Sequence, residues 1–143
     1  MNEININIVV EDEKLLPRYD HNDDAALNLY AANECDIPSG EHQLIPTGVR
    51  SEIPAGFAAL IWDRSSMAHK ENLTTIGGVI DAGYRGEWGV ILHNLGNKTI
   101  HIEKYQKIAQ AIIQKVEHVN IVQVAKISET ARGEGGFGST GKY

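Results

Sequence analysis

The chain carries a single cysteine, Cys35, so it cannot hold an internal disulfide, and one thiol of this kind fits a reducing cytoplasm. It also lacks a basic block that could neutralise phosphates. With 13 Lys and Arg against 19 Asp and Glu, its net charge of −6 argues against general binding to nucleic acid or to a membrane surface. No apolar stretch is long enough to span a bilayer, and no signal-peptide pattern is visible. The Asn72-Leu73-Thr74 and Asn97-Lys98-Thr99 sequons are therefore expected to be chance matches. The six histidines show no metal-site spacing and are expected at solvated strand or loop positions. No internal repeat or linker divides the chain. At 143 residues a single domain is expected, large enough to bury ~70% of its unfolded surface without staples.

What is present is a series of short β-rich runs. Ile4, Ile6 and Ile8 alternate with polar residues from Glu3 to Val10, the period of a strand with one buried face, and Leu16-Pro17 ends it. After the polar run Tyr19 to Asp24, alternation returns from Ala25 to Ala31 and stops at the Ile37-Pro38-Ser39-Gly40 turn. Further strands are expected over Gln43–Arg50, Phe57–Trp62, Gly89–Leu92, Thr99–Ile102, Ile108–Val116 and Ile121–Val124. Many short strands at close spacing indicate an all-β barrel or double sheet rather than βαβ units. One short helix is expected over Ser65–Glu71, capped by Ser65 or Ser66. After Lys126 the pattern stops, so the globular domain is expected to span 1–127 and a terminal arm 128–143.

The arm reads RGEGGFGSTGK from Arg132 to Lys142 and holds five of the fourteen glycines. Such a composition suits a segment that orders over a ligand, with Arg132 for phosphate and Phe137 for a flat ring. Read alone, it suits a terminal tail better than a site. Gly133 to Gly138 matches the dinucleotide-binding spacing GxGxxG, and Gly136 to Lys142 matches most of the phosphate-loop spacing GxxxxGK. Both require a preceding strand and a following helix, and the phosphate loop needs Ser or Thr where Tyr143 stands.

Three further stretches carry chemistry. In Gly77 to Glu87 a strand ends at Asp81, turns through Ala82-Gly83 and returns with Tyr84, so Asp81 and Tyr84 can face one cavity. The plainer reading is a hairpin turn in which Asp81 bonds its own backbone. In Asp63 to Ala68, Arg64 followed by Ser65 and Ser66 at a helix start supplies a bidentate donor, hydroxyls and amides suited to phosphate; an ordinary N-cap is the plainer reading. Gln110 interrupts the apolar run Ile108 to Ile113 and needs a partner if it points inward.

Taken together these stretches closely resemble one family, the trimeric deoxyuridine triphosphatases (dUTPases), which hydrolyse dUTP to dUMP and pyrophosphate. Counterparts of the family's five motifs lie at Asp24–Ala31, Arg64–Ala68, Gly78–Glu87, Lys107–Ile113 and Arg132–Gly141. The third and fifth are very specific; the first and fourth are degraded. The resemblance implies a jelly-roll-like all-β barrel, a cytoplasmic homotrimer (in host cytoplasm if phage-encoded) with active sites shared between subunits, and a role in keeping uracil out of DNA and supplying dUMP for thymidylate synthesis. It assigns Asp81 to activating a water for attack on the α-phosphorus, and Tyr84 to packing under the deoxyribose. Backbone of Gly78, Val79, Ile80 and Gly89 would pair with the uracil edge. Arg64, Ser65, Ser66 and Gln110 would hold phosphates, Arg132 the γ-phosphate and Phe137 the face of the base, with Ser139 and Thr140 completing the phosphate contacts. Mg2+ is the implied cofactor, carried by the triphosphate without direct protein ligands, with Asn28 and Gln110 standing behind the ion's own ligands.

Two departures bear on efficiency. Asn28 stands where the family usually has aspartate and Ala26 where it has glycine, and Tyr105-Gln106-Lys107 replaces Gly-Asp-Arg, keeping a cation but costing a tight turn. They motivate an alternative, a weakened or non-catalytic homologue that binds nucleotide or a partner. The related dCTP deaminases share the Arg-Ser-Ser segment, but their catalytic glutamate aligns with Ile91, which cannot move a proton.

Overall fold

Each short apolar run buries one face on its neighbours and so becomes a strand. The computed structural model describes residues 3–143, with strands β1 (Asn7–Val9), β2 (Leu27–Tyr30), β3 (Cys35–Ile37), β4 (His42–Pro46), β5 (Arg50–Glu52), β6 (Phe57–Trp62), β7 (Leu73–Thr75), β8 (Val79–Asp81), β9 (Gly89–Asn94), β10 (Ile100–Ile102) and β11 (Lys107–Lys115). A single turn of 3-10 helix covers Glu13–Leu15, and helix α1 covers Ser65–Glu71. Among the described residues no helix is long and apolar enough to cross a membrane.

All pairings are antiparallel. The largest sheet runs β2-β11-β6-β8, a second runs β4-β9-β7, and β1-β5 and β10-β3 form two-stranded ribbons. The fold is thus all-β and jelly-roll-like as expected, but four separate sheets build it, and among the described residues no continuous sheet closes a barrel. Leu29, Ile37, Ile45, Val90, Leu92, Ile102 and Ile108 form the buried core with Trp88, its largest fully buried side chain. Strand β9 alternates strictly and sends Asn94 inward at its end. That buried amide is satisfied: Nδ2 donates to the Ile37 and Lys98 carbonyls at 2.8 and 2.7 Å, and Oδ1 accepts from Gly96 N at 2.9 Å. Trp88 Nε1 likewise donates to Ser51 Oγ at 3.1 Å, so the largest core residue leaves no orphaned donor.

Several expected elements differ. The first strand shortens to β1, since only its end finds a partner, in β5. The expected strand Gln43–Arg50 divides into β4 and β5 at Gly48, whose φ of 72° and position 2.7 Å (for an added Cβ) from Leu15 Cδ1 demand glycine. Strands β3 and β7, too short to show a period, went unread. Helix α1 has the expected bounds, but Arg64 is its N-cap and makes no side-chain cap bond, so neither Ser65 nor Ser66 caps it. Ile121–Val124 is not a strand: no ladder within this chain receives it, and Val119, Ile121, Val122 and Val124 stay exposed.

The turn before β11 is also kept rather than lost. Tyr105 adopts the left-handed conformation that glycine would supply, with φ 69°, and the turn closes through Gln106 N to Glu103 O at 3.1 Å. The Lys14 and Lys104 ammoniums lie 5.1 and 5.0 Å from the centre of its ring, and its hydroxyl donates to Asp12 Oδ2 at 2.6 Å. Those contacts offset the unfavourable backbone.

Candidate active site

Strand β8 pairs with β6 through Asp81↔Ala58 and Ile80↔Ala59, which carries Asp81 to the end of the large sheet. The chain then turns, Tyr84 N donating to the Asp81 carbonyl at 3.1 Å, and brings the tyrosine back over the same cavity. That cavity, of about 310 Å³, is lined by Gly78, Val79, Ile80, Asp81, Tyr84 and Gly89, six of the residues singled out in the sequence. Leu44, Ile61, Ile76 and Ile91 complete an apolar wall. Among the described residues no hydrogen bond engages the Asp81 carboxylate, so it does not serve its own turn. Tyr84 instead is fixed, its hydroxyl donating to the Glu87 carbonyl at 3.0 Å. An exposed carboxylate beside an aromatic face and an apolar wall can accept a proton from a water held against a bound molecule. Ile91 lies in this wall, so the position aligned with the deaminase acid offers no proton carrier.

Beyond the other end of β6, a second pocket of about 330 Å³ holds Arg64, Ser65, Ser66, Gln110 and Asn28. Antiparallel register explains the grouping, because Gln110 on β11 lies opposite Asn28 on β2 and Trp62 on β6. Gln110 Nε2 donates to the Asp63 carbonyl at 2.8 Å, which satisfies its half-buried amide and aims its oxygen elsewhere. Asp63 anchors the corner: it accepts from Thr74 Oγ1 at 2.8 Å, Thr75 N at 2.5 Å and Thr75 Oγ1 at 2.8 Å. Burial pushes its carboxyl up, but the Thr75 and Thr74 hydrogen bonds outweigh this and hold it below the usual value. Guanidinium, hydroxyls and an amide converge here on a surface suited to an anion.

Glu87 in the first pocket and Asp24 in the second lie within the motif segments but receive no role from the sequence, and Asp20 lies outside them. Glu87 Oε1 accepts from Gly48 N at 2.8 Å, tying the hairpin to the loop after β4. Asp20 lies in a polar run whose pattern carries no signal of a pocket.

Arg132, Phe137, Ser139 and Thr140 line neither pocket. Their segment is a chain of local turns: Arg132 Nε donates to the Gly135 carbonyl at 2.8 Å, and Ser139 N to Gly136 O at 3.1 Å. Phe137 is fully exposed, with φ 50°.

The family model described as dUTPase matches residues 12–141. A deoxyuridine 5'-triphosphate nucleotidohydrolase of Clostridium tetani is 46% identical over 141 residues, covering 97% of each chain. One from Rickettsia bellii is 48% identical over 132 residues, covering 90% of this chain and 88% of its own. Among solved structures, a variant dUTPase of Staphylococcus bacteriophage 80alpha with dUpNHpp superposes with a TM-score of 0.89 at 26% identity, covering 96% of this chain and 99% of that one. A dUTPase variant from phage phi11 of S. aureus, solved for the coordination of a structural Mg(II) ion, has a TM-score of 0.81 at 23% identity over 88% of this chain and 100% of its own, a likeness of fold. A hairpin pocket built on an unengaged acid, and sequence similarity over almost the whole length, lead to one conclusion: the chain belongs to the dUTPase family.

Proposed function

We propose that this chain hydrolyses dUTP to dUMP and pyrophosphate, the reaction that keeps uracil out of DNA and supplies dUMP for thymidylate synthesis. The observation that carries this reading is the shared pocket of Asp81, Tyr84, Gly78, Val79, Ile80 and Gly89. Asp81 holds and deprotonates a water for attack on the α-phosphorus, with pyrophosphate leaving. Tyr84 packs under the deoxyribose and leaves no room for a 2′-hydroxyl. Backbone groups of Gly78, Val79, Ile80 and Gly89 pair with the uracil edge, and cytosine, with reversed donors and acceptors, is rejected by ~10⁴-fold or more.

Arg64, Ser65, Ser66 and Gln110 hold phosphates, and phosphoryl transfer asks for little beyond such neutralisation and an aligned water. Their donors suit phosphate oxygens, so Mg2+ arrives with the triphosphate, and it supplies charge neutralisation there when bound. The hairpin pocket and the Arg64 pocket are separate cavities in one chain, which supports a homotrimer in which one subunit's Arg64 corner serves a neighbour's hairpin. The arm from Arg132 supplies a guanidinium for the γ-phosphate, Phe137 for the base, and Ser139 and Thr140 for the phosphates. Its purely local turns support a segment that finds its partner on another subunit. The free thiol of Cys35 suits work in the cytoplasm.

Incubation with dUTP, dCTP, dTTP and UTP plus magnesium, with release of pyrophosphate assayed, tests the reading. Release from dUTP alone is expected. No release from any nucleotide sinks the enzyme, and equal release from all sinks the specificity.

A further inference from the structure

Arg64 has a neighbour that the motif pattern does not anticipate. Asp20 lines the same pocket, and both of its carboxylate oxygens accept from Lys107 Nζ at 2.7 Å. The pair is partly withdrawn from water, with side-chain exposures of 42% for Asp20 and 33% for Lys107. Arg64 reaches the same residue from the helix side, its Nη1 donating to the Lys107 carbonyl at 3.5 Å. The loop sets Asp20 in place, because the Asp20 and His21 amides donate to Asp24 Oδ2 at 3.2 and 2.9 Å. A bidentate contact on a pre-set loop is more than a rim charge swinging in solvent.

Asn28 stands in the same pocket. It is buried on β2, its Nδ2 donates to the Arg18 carbonyl at 3.3 Å, and it lines the cavity together with Asp20. The Lys107 hydrogen bond first, then the lysine's charge, the Asn28 amide and Arg64, hold the Asp20 carboxyl below its usual value against partial burial. A neutral donor at position 28 favours an anion at position 20. A carboxylate at 28 would set a second negative charge against Asp20, and like charges in so small a space disfavour each other.

We propose that Asp20 is a positioning residue of the phosphate-binding pocket: its carboxylate fixes Lys107, whose backbone carbonyl receives Arg64, so that the guanidinium meets phosphate already oriented. The proposal rests on the phosphate-binding role given above to that pocket. Asp20 touches Lys107 and not the reacting atoms. The loop before β2 thereby supplies the carboxylate that β2 lacks, with Asn28 and Asp20 as two halves of one exchange.

A charge-relocation cycle tests this. Asp20→Asn keeps the side-chain shape and removes the charge; the KM for dUTP is expected to rise roughly tenfold while kcat moves by less than about threefold, the mark of lost ground-state binding. Asn28→Asp alone, which adds the opposing charge, is expected to raise KM as well. The double variant, with its one carboxylate moved to β2, is expected to recover KM to within about threefold of the parent, a non-additive outcome. Thermal midpoints measured on the same proteins separate folding from binding. An unchanged or lowered KM in Asp20→Asn, or effects that merely add in the double variant, overturns the proposal. Should the parent chain release no pyrophosphate from dUTP, the functional reading fails on its own. The cycle is then read from calorimetric binding of inorganic triphosphate, where additive or absent effects overturn the role of Asp20.

Discussion

Gly78 runs at φ 107°, and an added Cβ would stand 3.0 Å from the Ile61 carbonyl oxygen, which also accepts no slack because Ile61 N donates to Gly78 O at 2.8 Å. Side chains are disfavoured there twice, by backbone and by space. Gly78→Ala is expected to cost about 1–3 kcal/mol, read as a lowered thermal midpoint, and to weaken dUTP binding through the displaced pocket wall. Asp81 is the opposite kind of residue. It is exposed and bears no structural hydrogen bond among the described residues, so Asp81→Asn is expected to leave the melting curve in place and lower kcat by ~10²–10⁴. Equal turnover in the Asn variant would remove Asp81 from the chemistry. The hairpin segment stands out in the sequence, but its local pattern suits a self-bonded Asp81 turn, and the expected roles of Gly78 and Asp81 come from the resemblance to the dUTPases. Asp20 was not legible, since its meaning comes from Lys107, 87 positions away.

At the scale of elements, the turn into β11 shows how a strained residue is held. Tyr105 sits in the left-handed region, and its hydroxyl bond to Asp12 anchors the 3-10 segment to the turn. Tyr105→Phe keeps the ring near Lys14 and Lys104 and removes that bond, so a loss of about 0.5–1.5 kcal/mol is expected in chemical denaturation. The ribbon β3-β10 carries a pH signature. His101 Nδ1 lies 2.6 Å from Asp36 Oδ1, and this hydrogen bond raises the imidazole above its usual value. A raised folded value means the pair stabilises fully below about pH 6.5, the unfolded value, and the contribution is lost as pH rises through the folded one. Proton NMR titration is expected to find His101 above the ordinary range and Asp36→Asn to return it there; no movement in that variant would dismiss the pair. The six-residue strands β6 and β9 could be read from their apolar, β-rich composition, and the α1 bounds from its helix formers. Three-residue β3 and β7 could not, because each exists only where β10 or β9 offers an edge.

For the whole molecule, the two pockets and the arm are three parts that a single chain does not bring together. Removing residues 132–143 is expected to leave melting unchanged, because their hydrogen bonds are local, and to reduce dUTP turnover at least ~10²-fold. Mixing that truncated protein with Asp81→Asn is expected to restore part of the activity once subunits exchange. Normal turnover without the arm would make the segment a tail.

Composition and the order of short strands were enough to read an all-β chain, because binary pattern and turn residues are local properties, and the resemblance of five motifs pointed to the dUTPases. Tertiary packing decided the rest. Antiparallel register placed Gln110 against Asn28 and gave Ile121–Val124 no partner among the described residues, while side-chain contacts joined Asp20 to Lys107 and held the turn at Tyr105. Such pairings join residues far apart in the chain, and only packing chooses among them.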